Sequence, residues 1–195
     1  MPKAKLEQLR RTIRTLESAV LAFSGGVDSA LVAYVASQEL GNNFKAVTMN
    51  SPLLSEKDLT ESVQICNAYN ISQVVLEMYI LNNKSFTANC KDRCYFCKQE
   101  IFTHINNYAQ DNDFRHVMDG TNSDDSPTRR PGMHVLTEKG VRSPLRECNF
   151  TKNDVRAASK TLDLITWSKE SDSCLATRIP QGQSITTESL RQIQY

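Results

Sequence analysis

The chain is organised around one short turn that joins a strand pattern to a helix pattern. The turn consists of six consecutive residues: Ser24, Gly25, Gly26, Val27, Asp28 and Ser29. The apolar run 19–23 precedes it, and apolar residues recur at helical spacing over 27–35. Because glycines let the backbone approach an anion and the first N–H groups of a helix are unpaired, this turn is suited to phosphate. Asp28 beside such a site indicates a Mg²⁺ ion that bridges its carboxylate to phosphate.

The sequence of this turn separates it from two other phosphate-binding turns. It has neither the G-x-x-x-x-G-K-[ST] of kinase-type loops nor the G-x-G-x-x-G of dinucleotide-binding folds. It resembles the SGGxDS signature of the PP-loop ATP pyrophosphatase superfamily, whose members cleave ATP to an AMP-activated substrate and pyrophosphate. The resemblance implies that residues 24–29 bind ATP and Mg²⁺, with Asp28 as the metal ligand and a catalytic residue. The alternative is an ordinary strand-to-helix turn that contains Gly-Gly.

Composition indicates one ordinary globular domain. A chain of 195 residues with 39% hydrophobic and 23% charged residues is large enough to bury roughly 70% of its unfolded surface. It contains no apolar run near the ~18 residues of a membrane span, and its charged N-terminus lacks the apolar core of a signal peptide. We therefore expect a cytoplasmic protein without a membrane partner. The net charge of +1 argues against a surface dedicated to nucleic acid.

Strand and helix patterns alternate along the chain. The strand patterns occupy residues 19–23, 44–49, 71–79, 116–118 and 141–145. The helix patterns occupy residues 3–17, 27–40, 55–66, 95–108 and 151–162, and a last one begins at 187. This alternation predicts an α/β fold with a parallel sheet of about five strands and helices on both faces. The resemblance specifies it further as a Rossmann-like PP-loop fold of the adenine nucleotide alpha hydrolase type.

Ligands of parallel sheets bind at the carboxyl ends of the strands. The turn at 24–29, Met49 with its neighbours to Ser51, and Gly120 with Thr121 all follow predicted strands. We therefore expect these three segments to meet in one crevice. There Met49 is predicted to pack against adenine and Thr121 to contact the ribose or the α-phosphate. Met49 suits plain core packing equally well, because methionine fills gaps wherever it stands.

Six cysteines in a chain of this type indicate reduced thiols, metal ligands or nucleophiles rather than a disulfide framework. Cys90, Cys94 and Cys97 form a C-x₃-C-x₂-C pattern. With a fourth ligand this pattern could bind an Fe–S cluster or Zn²⁺. The candidates for that ligand are Cys148, Cys174 and His104. The alternative is that Cys94 and Cys97 simply stand at the beginning of a helix, one buried and one near the site.

Cys174 stands in a loop with a cation nearby. The segment 173–182 contains Arg178 four residues after the cysteine, and Pro180 and Gly182 restrict its path. Because a guanidinium favours thiolate over thiol, this setting suits a nucleophile. The alternative is a cysteine that acts as a small buried hydrophobe.

Five further motifs resemble one family within the superfamily. They are residues 93–98, 119–125, 130–132, 140–145 and 174–180, and with 24–29 they cover nearly the whole chain in order. All are similar to the LarE family of ATP-dependent sacrificial sulfur transferases. The resemblance implies that ATP adenylylates a carboxylate of a pyridinium dicarboxylate mononucleotide with release of pyrophosphate. Cys174 would then attack the activated carbonyl, and cleavage of its own Cβ–S bond would leave a thiocarboxylate product and dehydroalanine. That product matures into the nickel-pincer cofactor of lactate racemase.

The resemblance also implies residues that bind the small-molecule substrate. Arg130 and Arg178 would neutralise its phosphate or carboxylate charge, with Thr177 beside them. Tyr95 would stack on the pyridinium ring. Both arginines would serve equally as solvated surface charges and the tyrosine as a core residue. The resemblance permits a homo-oligomer as well.

The family comparison divides the chain at residue 182. We expect residues 1–182 to form the PP-loop ATP pyrophosphatase domain and residues 183–195 to be the start of a truncated C-terminal region, since members of the family usually continue further. Two other enzyme classes stay open, a PP-loop tRNA thiolase and an ammonia-using ligase of the NAD or GMP synthetase type. An ATP-binding paralogue without full activity is the third alternative.

Overall fold

Four parallel strands form the centre of the computed structural model, which describes residues 2–126, 131–170 and 173–193. They are β1 (Ala19–Ala22), β2 (Phe44–Asn50), β3 (Gln73–Glu77) and β4 (His116–Met118). In the sheet they lie in the order β3-β2-β1-β4. Ala19 at the start of β1 is paired with Phe44 on one side and His116 on the other, so these strands run side by side in the same direction. The predicted parallel α/β fold is confirmed.

Helices connect the strands and follow the sheet. They are α1 (Pro2–Arg14), α2 (Val27–Leu40), α3 (Glu56–Ala68), α4 (Lys84–Thr87), α5 (Arg93–Asp111), α6 (His134–Glu138), α7 (Pro144–Glu147), α8 (Lys152–Thr161) and α9 (Thr187–Ile193). Short 3₁₀ turns occupy Gly41–Asn43, Ile80–Asn82, Pro131–Met133 and Leu175–Arg178. Within the described ranges, each helix is too short or too polar to cross a membrane.

Both faces of the sheet are covered. On one face, apolar side chains of α1, α2, α7 and α8 pack with strand residues such as Leu21 and Ala46, which are fully buried. On the other face, Val20 and Val47 pack against Phe102 and Ile105 of α5 and against residues of α6. Because neighbouring residues of a strand point to opposite faces, β1 supplies Leu21 to one core and Val20 to the other. This double burial explains why the strands read as continuous apolar runs.

The predicted fifth strand at 141–145 is wrong. The structure has only a single parallel bridge there, between Arg142 and Met118, and α7 begins at Pro144. A proline has no N–H group to donate to a neighbouring strand, and its fixed φ suits the first position of a helix. Ser143-Pro144 therefore ends the pairing after one residue. The described part of the sheet thus has four strands where about five were expected.

The strand order creates a crevice at one end of the sheet. The chain moves outward from β1 to β2 and β3, then returns to the other side of β1 as β4. Connections that leave two adjacent strands in opposite directions open a gap at the strands' carboxyl ends. The turn at 24–29 follows β1, and Gly120 follows β4. Both therefore lie at this gap.

A third apolar cluster joins the C-terminal part of the described chain to the sheet. It contains Met78 and Phe86 from the segment after β3, Leu175 and Ile179 around the last 3₁₀ turn, and Leu190 from α9. Each of these side chains is buried. This packing holds the segment that contains Cys174 against the region of β3 and α4.

Candidate active site

The turn at 24–29 presents the backbone N–H groups at the start of α2. Gly25 has a φ of +71°, a conformation that favours glycine, and Gly26 is the N-cap residue of α2. Gly26 has no side chain with which to cap the first amides of the helix, so these amides are available to an anion. The Ser29 hydroxyl donates to the Gly26 carbonyl at 3.1 Å and lies 3.1 Å from the Ser24 hydroxyl oxygen. These contacts hold the turn in shape.

The end of β4 lies directly against this turn. A Cβ atom on Gly120 would stand 2.9 Å from the backbone nitrogen of Ser29 and 3.1 Å from its Cα. Real Cβ atoms essentially never show a contact below 3.0 Å, and both neighbouring atoms belong to the backbone. Only glycine therefore fits at position 120 without moving the start of α2.

A pocket of about 620 Å³ opens at the carboxyl ends of the strands. Its wall includes most of the residues predicted from the sequence: Ser24, Gly26, Val27, Asp28, Ser29, Met49, Gly120, Thr121, Cys174 and Thr177. Gly25 is buried behind this wall, against Ser62 of α3. The structure thus brings the proposed nucleotide turn and Cys174 into one pocket, although they lie near opposite ends of the chain.

Asp28 is held by two side chains that the sequence analysis missed. Its Oδ2 accepts a hydrogen bond from Lys152 Nζ at 2.5 Å, and its Oδ1 accepts one from Asn122 Nδ2 at 3.0 Å. Lys152 is the first residue of α8, and its backbone N–H donates to Asp124 Oδ2 at 2.7 Å. The one available signal was the capping box of Thr151 and Asp154, which starts α8 and so places Lys152.

The Thr121 hydroxyl is already engaged within the protein. It donates to Asp119 Oδ2, and the Thr121 backbone N–H donates to Asp119 Oδ1 at 3.1 Å. Asp119 is only 6% exposed and also accepts from the Ser143 hydroxyl at 2.7 Å. Thr121 lines the pocket, but its hydroxyl serves first to satisfy a buried carboxylate.

Cys174 stands immediately before the 3₁₀ turn Leu175–Arg178 and is exposed toward the pocket. Desolvation by the surrounding protein raises the pKa of its thiol. The backbone N–H groups of Ala176 and Thr177 and the Arg93 guanidinium act in the opposite direction, because they favour the thiolate. The Thr177 N–H and hydroxyl also donate to the Cys174 carbonyl, at 2.8 and 2.6 Å. The cysteine thus begins a tightly closed turn.

Two of the three cysteines in the C-x₃-C-x₂-C pattern reach this pocket. Cys94 and Cys97 line it, and burial together with the neighbouring thiols of Cys174 and Cys94 raises the pKa of Cys97 to about 12. Cys90 is exposed and belongs to the segment before α5. In the described ranges, no group of three or more His, Cys, Asp or Glu side chains is arranged to hold a metal ion. The structure therefore does not assemble Cys90, Cys94 and Cys97 as a ligand set for Fe–S or Zn²⁺.

Three residues predicted to bind substrate are placed differently or lie outside the described ranges. Tyr95 packs against the apolar cluster of α5 and α6, and its hydroxyl donates to Glu138 Oε2 at 2.9 Å. This bond raises the pKa of Tyr95 and connects its hydroxyl to α6. Arg178 is exposed, and its Nη1 donates to the Ile193 carbonyl at 3.3 Å. Arg130 lies outside the described residues.

Comparisons with known proteins agree with this geometry. The family model described as NAD synthase matches residues 4–122. The pyridinium-3,5-bisthiocarboxylic acid mononucleotide synthase of Lactiplantibacillus plantarum, a LarE protein, is 30% identical over 97% of this chain and 69% of its own length. The chain belongs to the NAD synthase family, in its LarE group.

Two further similarities extend the comparison of this LarE-group chain. An uncharacterized protein of Synechocystis sp. is 39% identical to it over 99% of this chain and 72% of that protein. The structure of NMN synthetase from Francisella tularensis matches with a TM-score of 0.71 at 20% identity, over 100% of this chain and 86% of that one. At that identity the structural match shows the PP-loop fold alone.

Proposed function

We propose that this LarE-group chain is an ATP-dependent sulfur transferase. It adenylylates a carboxylate of a pyridinium dicarboxylate mononucleotide and transfers sulfur from Cys174, in the biosynthesis of a nickel-pincer cofactor. The similarity to the Lactiplantibacillus plantarum synthase supports this activity. The single observation that carries the proposal is that the Ser24–Ser29 turn and Cys174 line the same pocket. A carboxylate activated at the turn therefore meets the sulfur donor without leaving the protein.

The residues at the turn fit ATP and Mg²⁺. The start of α2 has free amides for phosphate, and Asp28 lines the pocket with a carboxylate that is 22% exposed. Carboxylate oxygens are the protein ligands that Mg²⁺ prefers, so Asp28 is the residue that would hold it. When bound, Mg²⁺ supplies positive charge to the phosphates during displacement of pyrophosphate. The turn and Asp28 orient the α-phosphate toward the substrate carboxylate.

The first step forms one bond and breaks one. A carboxylate oxygen of the substrate attacks the α-phosphorus of ATP, and pyrophosphate leaves with the bonding electron pair. The amides of α2 stabilise the charge that develops on the departing phosphates. Lys98 lines the same pocket and provides a cationic partner for the acidic groups of the substrate. Thr177 also lines this pocket, where it is proposed to contact substrate.

The second step uses the Cys174 thiolate. It attacks the acyl carbon of the adenylate, and AMP leaves, which gives a thioester to the protein. Removal of the α-proton of Cys174 then breaks its Cβ–S bond. The electron pair of that bond goes to sulfur, so the products are a thiocarboxylate and dehydroalanine at position 174. The two backbone N–H groups that face the sulfur stabilise the thiolate before attack.

An ammonia-using ligase is the alternative that the NAD synthase family keeps open. Such an enzyme needs the ATP turn but no thiol, since ammonia attacks the adenylate directly. The exposed position of Cys174 in the pocket favours sulfur transfer over this alternative.

Replacement of Cys174 separates the two reactions. With ATP, Mg²⁺ and the pyridinium dicarboxylate mononucleotide, the Cys174→Ser variant is expected to form pyrophosphate and the acyl adenylate but no thiocarboxylate. Cys90→Ser is the matched control, because Cys90 is exposed and stands before α5, and it should retain both reactions. Thiocarboxylate formation by Cys174→Ser would contradict the proposal. An amide product that depends on added ammonia would assign the chain to the ligases instead.

A further inference from the structure

A buried asparagine fastens the segment that follows Cys174. Asn89 is fully buried and has a φ of +51° between α4 and α5. Its Nδ2 donates to the carbonyls of Pro180 at 2.9 Å and Gln183 at 2.8 Å. Its own carbonyl accepts from the Gly182 N–H at 3.1 Å. One residue therefore satisfies three backbone groups in the segment 180–183.

Arg93 connects this asparagine to the turn at the nucleophile. Its Nη1 donates both to Asn89 Oδ1 and to the carbonyl of Ala176, the latter at 2.9 Å. Ala176 is also the residue whose N–H faces the Cys174 sulfur. Arg93 thus binds the same residue through its backbone carbonyl. As the first residue of α5, it is half-buried and lines the pocket.

These contacts have two chemical effects at Cys174. The Ala176 carbonyl and the Asn89 bonds fix the path of the chain on the C-terminal side of the cysteine, so its side chain keeps one direction. The guanidinium also places a permanent positive charge close enough to favour the thiolate. Without that charge, the desolvation of the pocket would leave the thiol protonated at neutral pH to a greater extent.

We propose that Asn89 and Arg93 are positioning residues for the sulfur donor: Arg93 supplies the cation that supports the Cys174 thiolate, and Asn89 holds Arg93 and the following segment in place. The inference rests on the proposed role of Cys174 as sulfur donor. It is distinct from a role of Arg93 as a binding partner for the substrate's phosphate or carboxylate. It also differs from a purely structural role, which would change stability and leave thiol reactivity alone.

The reactivity of Cys174 tests this inference without ATP or substrate. The full chain is treated with iodoacetamide at a series of pH values, and peptide mass spectrometry measures labelling at each cysteine separately. For Arg93→Gln, the midpoint of the Cys174 profile is expected to move up by about one pH unit, so labelling near neutral pH slows about tenfold. Arg93→Lys keeps a cation and should recover part of that shift. Arg11→Gln, an exposed arginine of α1, is the matched control and should leave the profile unchanged.

The asparagine is tested with a variant that keeps its backbone. Asn89→Gly removes the amide group while glycine accepts the positive φ, so the change isolates the hydrogen bonds. It is expected to move the Cys174 midpoint in the same direction as Arg93→Gln but by less, with a broader profile. Thermal unfolding of each variant identifies any that fail to fold, and Arg93→Met, which also removes the charge, serves if Arg93→Gln does not fold.

The outcomes separate this inference from the proposed function. An unchanged Cys174 profile in a folded variant that lacks the charge, Arg93→Gln or Arg93→Met, would overturn the role of Arg93 as a thiolate partner and favour substrate binding. An unchanged profile in Asn89→Gly would overturn the role of Asn89. If the profiles shift as expected but the wild-type chain forms no thiocarboxylate, the sulfur-transfer proposal fails while the positioning of Cys174 stands.

Discussion

Lys152 Nζ lies 2.5 Å from Asp28 Oδ2, so the carboxylate at the nucleotide turn is already paired with a cation from the start of α8. Both side chains line the pocket and both are partly exposed. A Mg²⁺ ion held by Asp28 would take over this pairing. The ammonium group of Lys152 would then be released from Asp28, and we expect it to bind the phosphates of ATP.

Replacement of Lys152 tests this exchange. Lys152→Met keeps the length of the side chain but removes its charge, and we expect the Kd for Mg²⁺ with a non-hydrolysable ATP analogue to rise about tenfold, or ~1.4 kcal/mol. Isothermal titration calorimetry measures this Kd. The control is Lys3→Met, in an exposed position on α1. Unaltered affinity in Lys152→Met would show that the lysine serves only to pair with Asp28.

Gly120 is expected to tolerate no side chain. A Cβ atom there meets the Ser29 nitrogen at 2.9 Å, so Gly120→Ala must displace the start of α2 and with it the amides for phosphate. We predict loss of detectable nucleotide binding, measured with a fluorescent ATP analogue. Gly41→Ala is the control. Gly41 has a positive φ, so the substitution destabilises the fold, but an added Cβ there meets no neighbouring atom. Nucleotide binding by folded Gly120→Ala at the wild-type level would contradict this arrangement of β4 and α2.

The start of α8 should lose stability when the charge of Asp154 is removed. Lys5 Nζ donates to Asp154 Oδ2 at 2.6 Å, and this bond, together with those from Thr151, lowers the pKa of Asp154 from 3.8 to about 2. Asp154→Asn is therefore expected to reduce the free energy of unfolding at pH 7 by about 1 kcal/mol. Urea unfolding measures the change.

The pH dependence of that difference has a definite sign. A carboxylate whose pKa is lower in the folded state stabilises the fold at pH values above its pKa in the unfolded state. This contribution is lost as the pH falls through its pKa in the folded state. The difference between wild type and Asp154→Asn should thus be full above pH 3.8, decline below it and disappear near pH 2. Asp113→Asn, at an exposed position with positive φ that asparagine accepts, should show little difference at any pH. A difference for Asp154→Asn that persists unchanged at the lowest pH would contradict the role assigned to its charge.

Local signals explain how much of the fold the sequence could predict. The apolar runs of β1 and β2 and the spacing within α2 each reflect burial on the sheet, so their positions follow from patterns within a few residues. The strand predicted at 141–145 is wrong because the apolar residues of this segment resemble a strand, whereas Pro144 begins a helix. Proline favours the first position of a helix, so Pro144 itself indicates that a helix starts here.

The site was predictable only where a motif stands in one stretch of sequence. The turn at 24–29 and Cys174 belong to such stretches, and topology brings them together. Lys152 and Asn89 do not, because their partners Asp28 and Pro180 lie far away in the chain. Lysine and asparagine are common on surfaces, so nothing in their neighbours distinguishes a residue that holds the site from a solvated one. Tyr95 stays a predicted substrate-binding residue, and its hydroxyl donates to Glu138, a partner that the neighbouring sequence does not indicate.

The mass of the intact protein after turnover tests the central claim most directly. The chain is incubated with ATP, Mg²⁺ and the pyridinium dicarboxylate mononucleotide, and its mass is measured before and after. Sacrificial transfer predicts a loss of about 34 Da, the mass of H₂S, which peptide mapping places at Cys174, with no such loss in Cys174→Ser. Release of AMP while the mass of the protein stays unchanged would contradict the account.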